Sequence, residues 1–188
     1  MEVRGKAIYT IPKGIFKKFG KEGLDRWLDF ISPGAKVVYS FPINTKDWFP
    51  LKETLVEPMA NVAQLFYDWN LEKAGWEFGG FSAEYGIKGL YGMFFKLASP
   101  GHIISKAVDI LPSYYRPCAL KVVENKKGFA LIRITHFPEI DKTTEYRIGG
   151  WVLTALQING QKNPEVKITK LLTNFDSCTE YQAFWETK

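Results

Sequence analysis

Two pairs of carboxylates have a spacing that could serve general acid–base catalysis. Asp25 and Asp29 share one face of a predicted helix, and Glu53 and Glu57 share a face of another. Both pairs lie on the polar side of their helices, and that pattern is typical of a solvated surface. The carboxylates therefore give no support to a reaction that needs a paired acid and base.

The residues for nucleophilic catalysis are equally sparse. The chain contains 2 histidines and 2 cysteines, and no Gly-x-Ser-x-Gly sequence. Cys118 and His136 could approach each other within one hairpin, but Cys118 is better explained as a small apolar residue of the core. Because Cys118 and Cys178 have no Cys-x-x-Cys spacing, reduced thiols are favoured over a zinc site. The sequence predicts a protein that is not an enzyme.

Glycines are placed unusually in one helical stretch. Gly86, Gly89 and Gly92 recur at every third residue, so on a helix they would fall on one face. Each glycine costs about 1 kcal/mol relative to alanine in a helix interior, and another interaction must offset that cost. A face without side chains lets another backbone or a flat ligand approach closely. Tight helix packing and the wall of a ligand cavity both remain open.

The same region is rich in aromatic residues. Between residues 66 and 95 stand Phe66, Tyr67, Trp69, Trp76, Phe78, Phe81, Tyr85, Tyr91, Phe94 and Phe95. Such a density is explained by core packing, or by an apolar pocket that has a few polar groups. Together with the glycines, this segment predicts a ligand-binding cavity walled by Trp69, Tyr85, Gly86, Gly89, Tyr91 and Gly92.

The 2 histidines differ in their predicted surroundings. On a helix from 100 to 111, His102 shares a stripe with Ser105, Lys106 and Asp109, which turns its side chain toward water. A metal-ligating His102 is the alternative hypothesis. His136 ends a strand whose same-face neighbours are apolar, and this favours a structural role.

Length and composition indicate a single folded domain spanning 1–188. A chain of 188 residues with 46% hydrophobic and 24% charged residues can bury about 70% of its unfolded surface, so no disulfide or metal is needed for folding. The net charge of +5 comes from scattered bases, which gives no support to nucleic-acid binding. The N-terminus has no secretory signal and no apolar run is long enough to span a membrane, so we expect a cytoplasmic protein.

The first part of the chain, lobe 1–112, has a predominantly helical pattern. Leu24, Trp27, Leu28 and Ile31 define an amphipathic helix that follows a short apolar face ending at Gly20. We expect the remaining elements to be an extended stretch at 37–41, a helix from Pro58 broken at Gly75 and Gly79–Gly80, a helix from Ser82 to about Leu97, and a helix over 100–111 that opens with Ser99-Pro100.

The second part, lobe 117–188, has a pattern typical of strands. Two strands, 119–124 and 129–138, are joined by Asn125-Lys126-Lys127-Gly128, which indicates a hairpin. A helix over 143–158 and strands over 165–173 and 179–186 follow. This order predicts an α+β fold in which a helical lobe packs on an antiparallel sheet with one crossing helix, and it excludes a doubly wound parallel fold.

The order of these elements resembles two families. The start Val3-Arg4-Gly5-Lys6-Ala7-Ile8, the segment Leu24-Asp25-Arg26-Trp27-Leu28, the aromatic-glycine helix, the turn over 111–117 and the final Tyr-Gln-Ala-Phe-Trp strand are similar to an uncharacterised bacterial domain family. The same order, over most of the chain, resembles the heme-nitric-oxide/oxygen-binding (H-NOX) sensor domains. The resemblance rests on order and spacing and not on one specific motif.

The H-NOX resemblance implies a heme between a helical lobe and a sheet lobe, with a helix histidine as proximal ligand. By its position before the proline-rich turn, His102 would be that ligand. In the H-NOX family a Tyr-x-Ser-x-Arg motif in the second hairpin strand binds the heme propionates. The corresponding stretch here is Arg133-Ile134-Thr135-His136-Phe137, in which the tyrosine and arginine are absent at those positions.

The leading functional hypothesis is therefore a non-enzymatic, cytoplasmic sensory or small-ligand-binding module without heme, which signals to a partner protein. Its ligand would be small and apolar or flat, and it would bind between the lobes. One alternative is a heme-based sensor of NO or O2 with His102 as iron ligand. A second alternative is a protein-interaction domain that has no cavity.

Overall fold

Helices make up most of the N-terminal part. The computed structural model describes residues 1–87 and 89–187, with the side chains of 89–91 and 94 left out. The helical elements are α1 (Gly5–Ile8), α2 (Thr10–Phe30), α3 (Pro33–Tyr39), a π-helical turn (Lys52–Val56), α4 (Glu57–Phe66), α5 (Leu71–Gly86), α6 (Gly89–Leu97), α7 (Pro100–Ile110) and a 3-10 turn (Leu111–Ser113). No helix in these described ranges is both long and apolar enough to cross a membrane.

The first helices confirm one expectation and correct another. Helix α2 is kinked at Gly20, where φ is 69°, and its C-terminal part buries Trp27, as the apolar spacing predicts. The extended stretch predicted at 37–41 is wrong, because residues 33–39 form α3. The Ser32 hydroxyl accepts a hydrogen bond from the Ala35 amide, and Pro33 occupies the first turn. These capping features favour a helix over the strand that the β-branched valines would prefer.

Helix α5 contains glycines that were predicted to break it. Gly75 and Gly79 lie inside α5, which begins after the N-cap Asn70 and ends at Gly86, so the predicted start at Ser82 is wrong. The predicted helix through to Leu97 is two helices, α5 and α6, and Lys88 between them lies outside the described residues. Helix α7 confirms the prediction over 100–111, with Ser99 as its N-cap.

Close packing against a C-terminal helix, α8 (Lys142–Ile158), explains the glycines of α5. A Cβ at Gly79 would lie 2.0 Å from the Arg147 carbonyl oxygen, and one at Gly75 would lie 2.6 Å from the Thr143 carbonyl oxygen. On α8, a Cβ at Gly150 would lie 2.2 Å from the Trp76 carbonyl oxygen. The two backbones therefore touch where side chains are absent.

Strands form two antiparallel sheets. The strands are β1 (Glu2–Arg4), β2 (Trp48–Pro50), β3 (Tyr115–Arg116), β4 (Ala119–Lys126), β5 (Phe129–His136), β6 (Lys162–Lys170) and β7 (Thr179–Glu186). The larger sheet has the order β4-β5-β7-β6 with α8 between β5 and β6, which confirms the predicted α+β class. The small sheet, β2-β1-β3, was not predicted, and it joins the N-terminal residues to the segment that follows α7.

The larger of the two hydrophobic core clusters in the described residues runs through both halves of the chain. It extends from Val3 in β1, through Trp27 and Phe78, to Ile132 and Tyr181 in the larger sheet. Helix α8 contacts α5 on one side and strands β6 and β7 on the other. This arrangement fixes the position of α8, which provides the central side chain of the site described below.

Polar side chains link three strands of the larger sheet. Glu180 of β7 accepts hydrogen bonds from the Thr169 hydroxyl (2.7 Å) and the Arg133 Nε (2.6 Å). The Thr169 hydrogen bond is the largest cause that lowers the pKa of Glu180 below its ordinary value of 4.5, and the Arg133 guanidinium lowers it further. The ionised carboxylate is thus the form that the folded state favours.

Acid is therefore expected to weaken the fold through Glu180. Because its pKa is lower in the folded than in the unfolded chain, the carboxylate stabilises the fold above pH 4.5, and that contribution is lost as the pH falls through the folded-state pKa. In urea unfolding between about pH 3 and pH 7, the free energy of unfolding should fall less steeply with acid for Glu180→Gln than for the unaltered chain. Glu165→Gln changes an exposed side chain of β6 and is the control. If the free energy of unfolding of Glu180→Gln had the same pH dependence as that of the unaltered chain, the expectation would be contradicted.

Candidate functional site

A small cavity lies between the helices of the N-terminal part and the larger sheet. We name it the Arg147 cavity; its volume is about 80 Å³. It is lined by Ala7, Ser82, Ile103, Ala107, Ile110, Leu111, Tyr114, Tyr115, Leu120, Ile132, Arg147, Ile148, Trp151, Val152 and Tyr181. Helix α7 forms one wall, α8 another, and strands β4, β5 and β7 form the floor, so the cavity stands where the halves of the chain meet.

Apolar side chains dominate the walls because α7 and α8 each turn an apolar face inward. Ile103, Ala107 and Ile110 recur at helical spacing on α7, and Ile148 and Val152 do so on α8. Sheet residues such as Leu120 and Ile132 complete the apolar floor. A cavity of this kind suits an apolar molecule that is fixed by few polar groups.

Arg147 is the charged residue of this lining, and it is 4% exposed. Its Nη1 donates to the Tyr115 hydroxyl at 3.0 Å, and its Nη2 donates to the Ala7 carbonyl oxygen and to the Ser82 hydroxyl. Its Nε is buried and has no hydrogen-bond partner among the described residues. The guanidinium thus connects α8 to α1, α5 and β3, and it still has donor capacity toward the cavity.

The tyrosines beside Arg147 are neutral. Burial raises the pKa of Tyr115, and the cationic Arg147 lowers it by less than burial raises it. Burial is also the largest cause that raises the pKa of Tyr181 well above its ordinary value, and Glu145 raises it further. Both phenols are therefore protonated around neutral pH, and neither balances the charge of the guanidinium.

Two aromatic residues predicted to wall a cavity lie elsewhere. Trp69 is 59% exposed, in a left-handed turn after α4 where its φ is 62°. Tyr85 is half-buried on α5, with its ring 4.7 Å from the ring of Phe81 and beside Lys13. Neither residue lines the Arg147 cavity, and ligand contact by either one stays a prediction.

The three glycines predicted on one face occupy two helices. Gly86 is the last residue of α5, and a Cβ there would meet no atom of the described residues within 4 Å. Gly89 and Gly92 belong to α6, and a Cβ at Gly92 would lie 2.9 Å from the Ile87 carbonyl oxygen. The side chain of Tyr91 lies outside the described part. Close approach of two helix backbones occurs instead at glycines of α5 and α8.

His102 is in the first turn of α7, as predicted, and its side chain is exposed. It borders an open surface groove together with Asn125 and Lys126, whereas the neighbouring Ile103 lines the Arg147 cavity. Histidine as an iron ligand therefore stays a prediction of the alternative hypothesis. Among residues 1–87 and 89–187, no group of His, Cys, Asp and Glu is placed to hold a metal ion.

Arg147 is the functional candidate that the sequence analysis missed. One signal was available: three and four residues away on the predicted helix stand Thr143, Thr144, Gly150 and Trp151, which form no charged face. An arginine within such a face indicates a buried guanidinium with specific partners, because arginine is almost never fully buried unless it is paired.

The chain has the fold of H-NOX domains, which confirms the predicted resemblance at the level of the fold. A triple mutant of an H-NOX protein from S. oneidensis, in the Fe(II) ligation state, superimposes with a TM-score of 0.76 at 10% identity, covering 98% of this chain and 97% of that one. An H-NOX protein from S. oneidensis in the Fe(II)NO state gives a TM-score of 0.72 at 11% identity, covering 98% of this chain and 99% of that one. An unliganded Fe(II) H-NOX mutant from K. algicida gives 0.72 at 10% identity, covering 98% and 97%. No family model and no curated protein matches the sequence.

The Arg147 cavity does not fit a heme. At about 80 Å³ it is far smaller than the roughly 300–1,000 Å³ of ordinary cofactor pockets. Its described lining contains neither histidine nor cysteine, and burial holds Tyr115 and Tyr181 in the protonated form that binds iron poorly. Cys118 lies outside the lining, and burial raises its pKa to about 12, so it is a thiol and not a thiolate.

Proposed function

We propose that this chain is a non-enzymatic sensor domain that binds a small ligand in the Arg147 cavity, without heme, and signals the binding to a partner protein. The observation that most supports this proposal is the cavity itself, at the junction of the two halves, with apolar walls and one buried guanidinium. The H-NOX neighbours, which are structures of Fe(II) and Fe(II)NO states, support a sensory role by their shared fold.

The bonds of Arg147 suggest how ligand binding is transmitted. The guanidinium donates hydrogen bonds to the Ala7 carbonyl of α1 and to the Ser82 hydroxyl of α5. A ligand that competes for these donors weakens the connection of α8 to the helical part. Occupancy therefore shifts the relative position of the two parts, because the ligand has a different affinity for each arrangement.

The proposal predicts that a ligand is retained by the cavity and excluded when the cavity is filled. Native mass spectrometry of the protein purified from its source cells should show a bound small molecule. Ala107→Phe, on the cavity wall of α7, should remove that molecule, whereas Val108→Phe, on the exposed side of the same helix, should retain it. A molecule lost equally from both variants, or absent from the unaltered protein, would contradict the proposal.

The heme alternative is tested by hemin titration. We expect no stoichiometric Soret shift that depends on His102, since its side chain is exposed and outside the Arg147 cavity. The measurement is the absorption spectrum of the unaltered protein and of His102→Ala, with His136→Ala as the matched control. A stoichiometric shift that His102→Ala abolishes and His136→Ala preserves would establish the heme sensor instead.

A further inference from the structure

The unpaired charge of Arg147 identifies the chemical class of the ligand. We infer that the ligand of the Arg147 cavity is a small organic anion, a carboxylate on a short apolar body, whose carboxylate accepts hydrogen bonds from the Arg147 guanidinium. This inference rests on the proposed function, and it adds the charge and size of the ligand.

The first argument is the donor capacity of the guanidinium. Arginine has five N–H donors and no acceptor. The acceptors around Arg147 are a tyrosine hydroxyl, a serine hydroxyl and a main-chain carbonyl oxygen, all of them neutral. The buried Nε is left without any acceptor, although buried polar atoms almost always have one. An acceptor supplied by a ligand would satisfy it.

The second argument is the missing counter-charge. Within the described part of the chain, Arg147 forms no ion pair. Glu145, two residues earlier on α8, directs its carboxylate to the hydroxyls of Thr173 and Thr179 instead. A buried charge is unfavourable unless it is paired, so an anion in the cavity would be bound by a charge that the fold leaves uncompensated.

The third argument is the size and polarity of the cavity. At the roughly 30 Å³ that one water occupies in the liquid, 80 Å³ corresponds to about three water molecules, which restricts the ligand to a short organic molecule. The walls that face Arg147 are apolar, including Ile103, Ala107 and Ile132. A polar multivalent anion such as phosphate would lose its hydration against these walls, whereas a short alkyl carboxylate matches both parts of the site.

Butyrate and butyramide provide the test, since they have nearly the same shape and differ in charge. In NMR titrations at constant ionic strength, we expect the unaltered protein to bind butyrate at least about tenfold more tightly than butyramide. Arg147→Met should abolish that preference and leave butyramide binding within about twofold, while Arg147→Lys should retain part of it. Arg133→Met, on the sheet, is the matched control and should preserve the preference.

The outcomes separate this inference from the proposed function. Equal binding of butyrate and butyramide by the unaltered protein would overturn the anionic ligand and leave the cavity as an apolar binding site. Butyrate binding that survives in Arg147→Met but not in Ala107→Phe would overturn the role of Arg147 alone. If neither probe shifts the signals of cavity residues, the inference is wrong, whereas the proposed function is contradicted only by the absence of a retained molecule in native mass spectrometry. Because the first comparison uses the unaltered protein, it stands even where a variant fails to fold.

Discussion

Gly79→Ala is expected to lower the free energy of unfolding by about 3 kcal/mol, the upper part of the range for overpacking a buried contact. The added methyl group would lie 2.0 Å from the Arg147 carbonyl oxygen and 2.9 Å from the Trp151 amide nitrogen. Both atoms belong to the main chain of α8, so no side-chain rotation relieves the clash, and α8 must move away from α5. Urea unfolding at neutral pH, followed by far-UV circular dichroism, measures the loss.

The matched control is Gly86→Ala, seven residues later at the end of the same helix. A Cβ at Gly86 meets no atom of the described residues within 4 Å, so alanine is expected to leave stability unchanged or raise it by up to about 1 kcal/mol. Equal losses for the two variants would contradict the view that backbone contact, rather than glycine itself, accounts for the glycines of α5. Because Arg147 belongs to the displaced turn, Gly79→Ala should also weaken butyrate binding, which Gly86→Ala should not.

Glu145→Ala is expected to cost about 3 kcal/mol of stability, through lost hydrogen bonds together with a cavity. The Glu145 side chain is fully buried and accepts hydrogen bonds from the hydroxyls of Thr173 and Thr179. These bonds connect α8 to the segment between β6 and β7 and to the first residue of β7. Alanine would leave both hydroxyls without their acceptor and would open a space at the base of the helix.

Two further variants make the Glu145 prediction specific. Glu145→Gln keeps one carbonyl acceptor and nearly the same volume, so its loss should be clearly smaller than that of alanine. Glu165→Ala removes an exposed carboxylate of β6 and should change stability by less than about 0.5 kcal/mol. Thermal and urea unfolding of all three proteins give the comparison. A loss for Glu145→Ala no greater than that for Glu165→Ala would refute a structural role of the buried carboxylate.

The C-terminal half was the more predictable part, because its signals are local. The turn residues Asn125-Lys126-Lys127-Gly128 fix the β4–β5 hairpin, and Gly128 has the positive φ of 81° that such a turn requires. The strand predicted over 179–186 agrees with β7, and the helix predicted over 143–158 begins one residue earlier, after the N-cap Asp141. Capping and alternation decide these elements without help from distant residues.

The N-terminal half was less predictable where tertiary contacts override local propensity. A glycine inside a helix pattern indicates a break only if no packing contact offsets its poor helix propensity. At Gly75 and Gly79 that cost is offset by close packing against the main chain of α8. Helix α8 lies about seventy residues away in sequence and cannot be located from local spacing. For the same reason, the sequence pattern predicts close approach at Gly86, Gly89 and Gly92 instead.

The candidate site was only partly predictable. Its position between the two parts of the chain agrees with the resemblance, but its lining comes from α1, α5, α7, α8 and four strands. Sequence periodicity identifies which face of a helix is buried, yet it does not identify which buried faces leave a gap between them. Arg147 was missed because a cationic residue on a helix is usually solvent-exposed, and only the packing of α8 on two sides removes that option.

The indole of Trp151, which borders the Arg147 cavity from α8, gives the domain an optical reporter of its own occupancy. Its emission depends on the polarity next to the ring, and exchanging solvent for an alkyl chain alters that polarity. The chain contains 6 tryptophans, so the Trp151 signal is obtained as the difference between the protein and a Trp151→Phe form. Ligand screening with the purified domain thus needs no attached dye.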